Sequence, residues 1–204
     1  MFLELAADAY IIGGKSLAWI YRKIWGRRRL KYFDHRFDHL RGPQHTCWQE
    51  RGVLGALAIP DGGEVLDLCC GEGFYARYYY SSRASHVDAI DLDLSAIQIA
   101  KRYNRHESVS FYAGDVTAVP FPRSDYDTVI FFSALHCIPE EKRSMLMSKV
   151  ASSLKPGGTL VGSASLPLGS IAELLAAHFE VPKLWVSDWG NGRMESYFEC
   201  RRLR

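Results

Sequence analysis

The spacing of apolar and polar positions changes along the chain. Across residues 2–25 apolar side chains recur at near-helical spacing (Leu5, Tyr10, Ile12, Leu17, Ile20, Ile24), with a break at Gly13-Gly14 and a stop at Gly26. A polar, aromatic-rich stretch follows, with a turn at Gly42-Pro43 and a helix expected over 45–58. Pro60-Asp61-Gly62-Gly63 then opens a regular alternation. Strands are expected at 64–69, 86–91 and 109–112, with helices at 74–82 and 95–104 between them. Residues 127–132 have a fully apolar centre, as strands buried on both faces do. Residues 139–154 read as a helix, with Pro139 in its first turn and Glu140 and Glu141 beside the positive end of its dipole. Lys155-Pro156-Gly157-Gly158 stops that helix and feeds a strand at 159–163. Finally, 183–188 and 193–201 flank Asn191-Gly192, a strong hairpin signal.

Strands alternating with helices predict an α/β fold, a doubly wound and mostly parallel sheet closed by an antiparallel pair. The pattern divides the chain into an N-terminal helical extension, residues 1–59, and an α/β domain, residues 60–204.

The 204-residue chain is 48% hydrophobic and 24% charged, as expected of a globular protein with a sizeable core. Its charge is uneven. Residues 1–41 hold nine Lys/Arg and four Asp/Glu, a balance of +5, while the total is +2. Six of these basic residues lie between Arg22 and Lys31. Residues 19–31 (WIYRKIWGRRRLK) thus join interfacial aromatics to a basic cluster, a pattern suited to an anionic membrane surface. The same cluster would serve nucleic-acid phosphates, or only a solvated helix packed on the domain. Glu4, Asp8, Lys15, Arg22 and Lys23 are too many charges for a spanning helix. The five cysteines show no CxxC spacing and read as reduced thiols, which gives a cytoplasmic protein without a metal site. His35 and His39 with Asp34 and Asp38 would permit a metal on one helical face, but a solvated helix face is the better reading of them.

The chemistry concentrates where the first strand ends. Gly71-Glu72-Gly73-Phe74-Tyr75-Ala76 fits the dinucleotide fingerprint literally. Three features count against NAD: Asp67 inside the first strand suits a cationic ligand group, Asp115 adds a third acidic position after the third strand, and no second mononucleotide-binding half follows. Asp91, twenty residues after Gly71, ends the second strand, where a carboxylate can accept from two ribose hydroxyls.

VLDLCCGEG, AIDLDLSAIQIAKRY, FYAGDVTAVPF, YDTVIFFSALHCIP and LKPGGTLV, in that order, resemble class I S-adenosylmethionine-dependent methyltransferases over residues 60–204. The resemblance implies a seven-stranded sheet of order 3-2-1-4-5-7-6 with strand 7 antiparallel. It also implies S-adenosylmethionine as cofactor and S-adenosylhomocysteine as product. Gly71 and Gly73 would line the methionine part and Asp67 would hold its amino group. Cys69, where the family usually has glycine, would border the same part. Asp91 would bind the ribose, Leu92 would pack on the adenine, and Asp115 and Val116 would meet its edge and face. Ser133 and Leu135 would border methyl donor and acceptor. His136, in the same loop, is the candidate general base or substrate contact. The loop Phe132-Ser133-Ala134-Leu135 lacks the Asn/Asp-Pro-Pro-Tyr/Phe of base-modifying enzymes and suits a small-molecule or lipid-like acceptor. His45, Trp48 and Tyr32 are candidate acceptor contacts from the N-terminal region. A methyltransferase fold acting only as a binding scaffold, and a nucleic-acid-associated methyltransferase using the basic cluster, are the alternatives.

Overall fold

The computed structural model describes residues 47–188 and 194–203. The basic cluster at 19–31, Tyr32, His35, His39, His45, the Trp48 side chain and Asn191-Gly192 lie outside the described residues. The sheet and its helices belong to the compact unit Gln49–Arg204.

The chain enters through helix α1 (Cys47–Leu57) and alternates thereafter. In order come β1 (Gly63–Leu68), α2 (Phe74–Tyr78), β2 (Ala84–Asp91), α3 (Leu94–Tyr103), β3 (Val109–Ala113), β4 (Tyr126–Phe132), α4 (Glu140–Ser153), β5 (Leu154–Ala164), α5 (Leu168–Leu175), β6 (Lys183–Asp188) and β7 (Met194–Arg201). The sheet order is β3-β2-β1-β4-β5-β7-β6. Strands β1 to β5 are parallel, and β7 runs antiparallel to both β5 and β6. The carboxyl ends of β1, β2, β3 and β4 therefore meet along one edge.

Because side chains alternate across a strand, the sheet has two apolar faces. Val65, Val87, Ala89, Ile130 and Val161 form one core with Ala76 of α2 and Ile97 and Ala100 of α3. Leu66, Leu68, Ile90, Val129 and Phe131 form the other with Leu146, Met147 and Val150 of α4 and Ile171 and Leu175 of α5. Both faces are covered, as the continuous apolar strands require. Helix α1 packs flush on the first face through its glycines. A Cβ on Gly55 would lie 2.5 Å from the ring of Tyr80, and one on Gly52 would lie 2.8 Å from that of Tyr79.

Three elements differ from the sequence pattern. The helix expected over 74–82 is α-helical only to Tyr78 and ends in a 3-10 turn, Tyr80–Ser82. Tyr80 is fully buried there, and seating its ring against α1 takes precedence over continuing the helix. Strand β5 starts at Leu154, directly after α4, and runs through the Lys-Pro-Gly-Gly turn, where Gly157 takes φ 76° and the β4 pairing shifts register. Helix α5 escaped the sequence reading, although Ile171 and Leu175 recur at helical spacing behind Pro167.

Candidate functional site

The turn after β1 is held by the backbone of its neighbours. Cys70 N–H donates to Ile90 O at 3.0 Å, and Gly73 N–H to Cys70 O at 3.0 Å. From below, Asn104 Nδ2 at the end of α3 donates to Glu72 O at 2.7 Å. The turn uses left-handed backbone at Cys69 (φ 58°), Gly71 (φ 57°) and Gly73 (φ 72°). Glycine takes such angles without strain, whereas Cys69 bears a cost of about 1–2 kcal/mol.

The two glycines serve different ends. A Cβ on Gly73 would lie 2.3 Å from Phe111, so Gly73 lets the turn pack against β3. A Cβ on Gly71 would meet nothing within 4 Å, so Gly71 faces open space. Of the pair, Gly71 is the one placed to approach a ligand.

Two carboxylates face this turn. Asp91, at the end of β2, accepts from Gly71 N–H through Oδ2 and from Asp93 N–H through Oδ1, each at 2.8 Å. It therefore ties the turn to its own strand and aligns itself. Asp67 differs. It is 6% exposed, and its carboxylate accepts no hydrogen bond from any described residue. Burial, reinforced by the charge of Asp91, holds its carboxyl well above the usual carboxylate range. A buried acid without a partner is costly, and a cation brought to it would restore its charge.

Leu92 follows Asp91 and is 72% exposed, a bare apolar surface beside the turn. Next to it the 114–121 loop begins with Gly114 N–H donating to Asp91 O at 2.9 Å. Asp115 Oδ1 accepts from the backbone N–H and the hydroxyl of Thr117, each at 2.8 Å, and these bonds hold its carboxyl below the usual range. Val116 is buried under the loop.

The β4 loop closes the edge. Ser133 takes left-handed backbone (φ 53°), and its N–H donates to Ser163 O at 2.8 Å and Ser163 Oγ at 3.1 Å. Ser163 Oγ in turn donates to Glu195 Oε1 at 2.7 Å, and Glu195 is paired with Arg51 in a fully buried ion pair. Leu135 is fully buried in the core with α4. It supports the loop and does not line an acceptor site, because the 3-10 turn Leu135–Cys137 rolls it inward. His136 stays at the surface of the turn, where its Nδ1 accepts from Ser165 N–H at 3.3 Å. With that lone pair engaged, the neutral ring carries its proton on Nε2 and acts as a donor. That leaves Nε2 as the ring nitrogen free to meet a ligand from the turn.

Burial raises the pKa of Cys69 and of Cys70, so both stay thiols. Among the described residues no group of His, Cys, Asp or Glu is arranged to hold a metal. No described helix is long and apolar enough to cross a membrane.

Residues 65–158 match the family described as methyltransferase domain. Residues 65–158 are thus a methyltransferase domain, set in a sheet with the class I strand order. The methyltransferase domain is 32% identical over 129 residues to the demethylmenaquinone methyltransferase of Renibacterium salmoninarum, covering 63% of this chain and 52% of that protein. It is 28% identical over 128 residues to the fatty-acid O-methyltransferase of Mycolicibacterium smegmatis, covering 62% and 46%. The chain thus spans about half the length of both relatives. Among solved structures it superposes on the N-methyltransferase NodS from Bradyrhizobium japonicum in complex with S-adenosylhomocysteine. The TM-score is 0.71 at 16% identity, covering 87% of this chain and 96% of that one.

Sequence reasoning missed several residues that shape this site. Asn104, Lys149, Ser163 and Glu195 act through contacts made 30 or more positions away, and no local pattern marks them.

Proposed function

We propose that the domain binds S-adenosylmethionine at the β1 turn and transfers its methyl group to a small-molecule or lipid-like acceptor. The observation that carries this reading is Asp67, a buried carboxylate to which no described residue donates a hydrogen bond, in the strand that leads to the open turn at Gly71. The chemistry of the residues along this edge suits the cofactor's groups. Asp67 meets the ammonium of the methionine part, Gly71 gives its chain backbone to lie against, and Asp91 accepts from the ribose. Leu92 covers one face of the adenine, with Asp115 and Val116 at its edge.

The cofactor supplies a methyl on a sulfonium, a leaving group that needs no acid. The protein's task is then to hold acceptor and donor in line, worth about 7–11 kcal/mol at best. Ser133 borders the donor from the β4 loop, and His136 Nε2–H donates to the acceptor. The relatives' names, a quinone precursor and a fatty acid, favour an apolar acceptor. Residues 19–31 would bring such an acceptor within reach by docking on anionic lipid, with Tyr32, His45 and Trp48 as acceptor contacts.

Isothermal titration with S-adenosylhomocysteine tests the cofactor. Binding by the wild type and its loss in Asp91→Ala are expected, with no binding of NAD. A folded protein that binds neither S-adenosylmethionine nor S-adenosylhomocysteine would leave a scaffold. For the lipid step, cosedimentation with anionic liposomes should fall when Arg22, Lys23, Arg27, Arg28, Arg29 and Lys31 are replaced by Gln. Equal pelleting of the two proteins would end that part.

A further inference from the structure

We propose that Lys149 is a positioning residue, a clamp that holds the 114–121 loop in the shape that receives the adenine. The inference rests on the cofactor reading above. Lys149 lies in the second half of α4. Its ammonium donates to Val116 O at 2.9 Å and also to Val119 O, and it lies 4.0 Å from the centre of the Phe121 ring. One cation thus gathers three residues of the loop, by two charge-assisted hydrogen bonds and a cation–π contact.

Besides packing of Val116, Val119 and Phe121 on the core under α4, the loop's other hydrogen bonds lie on the side of β2 or within the loop itself. Gly114 N–H reaches Asp91 O, while Ala118 N–H and Val119 N–H both return to Asp115 O at 2.8 Å. Val119 folds back so far that a Cβ on Gly114 would lie 2.7 Å from it. The peptide joining Val116 to Thr117 is held at both ends. Its carbonyl goes to Lys149, and its N–H goes to the Asp115 carboxylate. That peptide sets where the Asp115 carboxylate and the Val116 side chain stand, and the ammonium is what fixes it from the α4 side. Among the described residues Lys149 makes its hydrogen bonds and ring contact to the 114–121 loop and none to the turn after β1, so the effect should fall on the adenosyl half of the ligand.

The test is titration of wild type, Lys149→Met and Lys149→Arg with S-adenosylhomocysteine and with 5′-methylthioadenosine, well below each protein's unfolding temperature. Lys149→Met keeps the stem and loses the ammonium. It should weaken both ligands by the same factor, about tenfold, corresponding to one lost charge-assisted alignment. Lys149→Arg keeps a cation that reaches the same carbonyls and should recover most of the affinity for both ligands, which a mere packing role for the stem would not produce. Unchanged affinity in a folded Lys149→Met protein would overturn the clamp, as would a loss confined to S-adenosylhomocysteine. If the wild type binds neither ligand, the cofactor reading falls and the clamp with it. Wild-type binding with an indifferent variant overturns the clamp alone.

Discussion

At the scale of single residues, identity and environment had to be combined before roles separated. The motif places Gly71 and Gly73 on equal terms, yet only Gly71 faces open space, because Phe111 fills the volume beside Gly73. Cys69 stands where the family usually has glycine and keeps the left-handed turn at a cost in strain. His136 shows the limit of reading a loop histidine from sequence. Its place in the loop after β4 was legible, but the partner of its Nδ1 is Ser165, 29 positions on. The expected consequence is measurable once an acceptor is in hand. Glutamine keeps an N–H donor near the Nε2 position, so His136→Gln should retain activity within about tenfold and leave the pH–rate profile unchanged. A general base would show a loss of about 10²–10⁴-fold and remove a limb of that profile.

At the scale of elements, most of the fold was legible because parallel strands are buried on both faces and announce themselves as apolar runs. β4 and β6 fell within a residue of expectation. What stayed hidden depends on contacts between distant segments. The 74–82 helix is cut short by the packing of Tyr80 under α1, and α5 is a short segment whose partner face lies on α4. The buried pair of Arg51 and Glu195 is of the same kind. It joins α1 to β7, and through Ser163 it reaches the N–H of Ser133 in the β4 loop. Replacing one partner strands the other charge in a dry interior. Glu195→Leu should therefore cost about 3–5 kcal/mol in denaturant unfolding. Adding Arg51→Met should recover most of that loss, since apolar residues of similar size can take the place of a buried ion pair. Independent, additive losses from the two substitutions would mean that the pair does not act as a unit.

At the scale of the whole molecule, the domain holds an acid in its interior that the fold alone does not use. Asp67 titrates well above its unfolded value, so the folded state binds its proton more tightly. Below the unfolded pKa both states are protonated and the acid costs nothing; as pH rises toward the folded pKa, that part of the stability is lost. Ligand binding runs the other way. An ammonium brought to Asp67 favours the carboxylate, so affinity for S-adenosylhomocysteine should rise with pH, up to tenfold per unit, until the folded pKa is passed. Asp67→Asn removes both effects at once. Without ligand at neutral pH the variant should unfold at higher temperature than the wild type, by about 1–2 kcal/mol, or roughly 2–8 °C for a domain of this size. S-adenosylhomocysteine at about one hundred times its wild-type Kd should reverse the order. It stabilises the wild type by about 2.7 kcal/mol, or roughly 5–10 °C, and leaves the variant where it was. Thermal unfolding of both proteins from pH 4 to 8, with and without ligand, reads all of this together. A variant no more stable than the wild type, or a gap that does not widen with pH, would mean that Asp67 is satisfied within the fold. The reason for placing a cation beside it would then be gone.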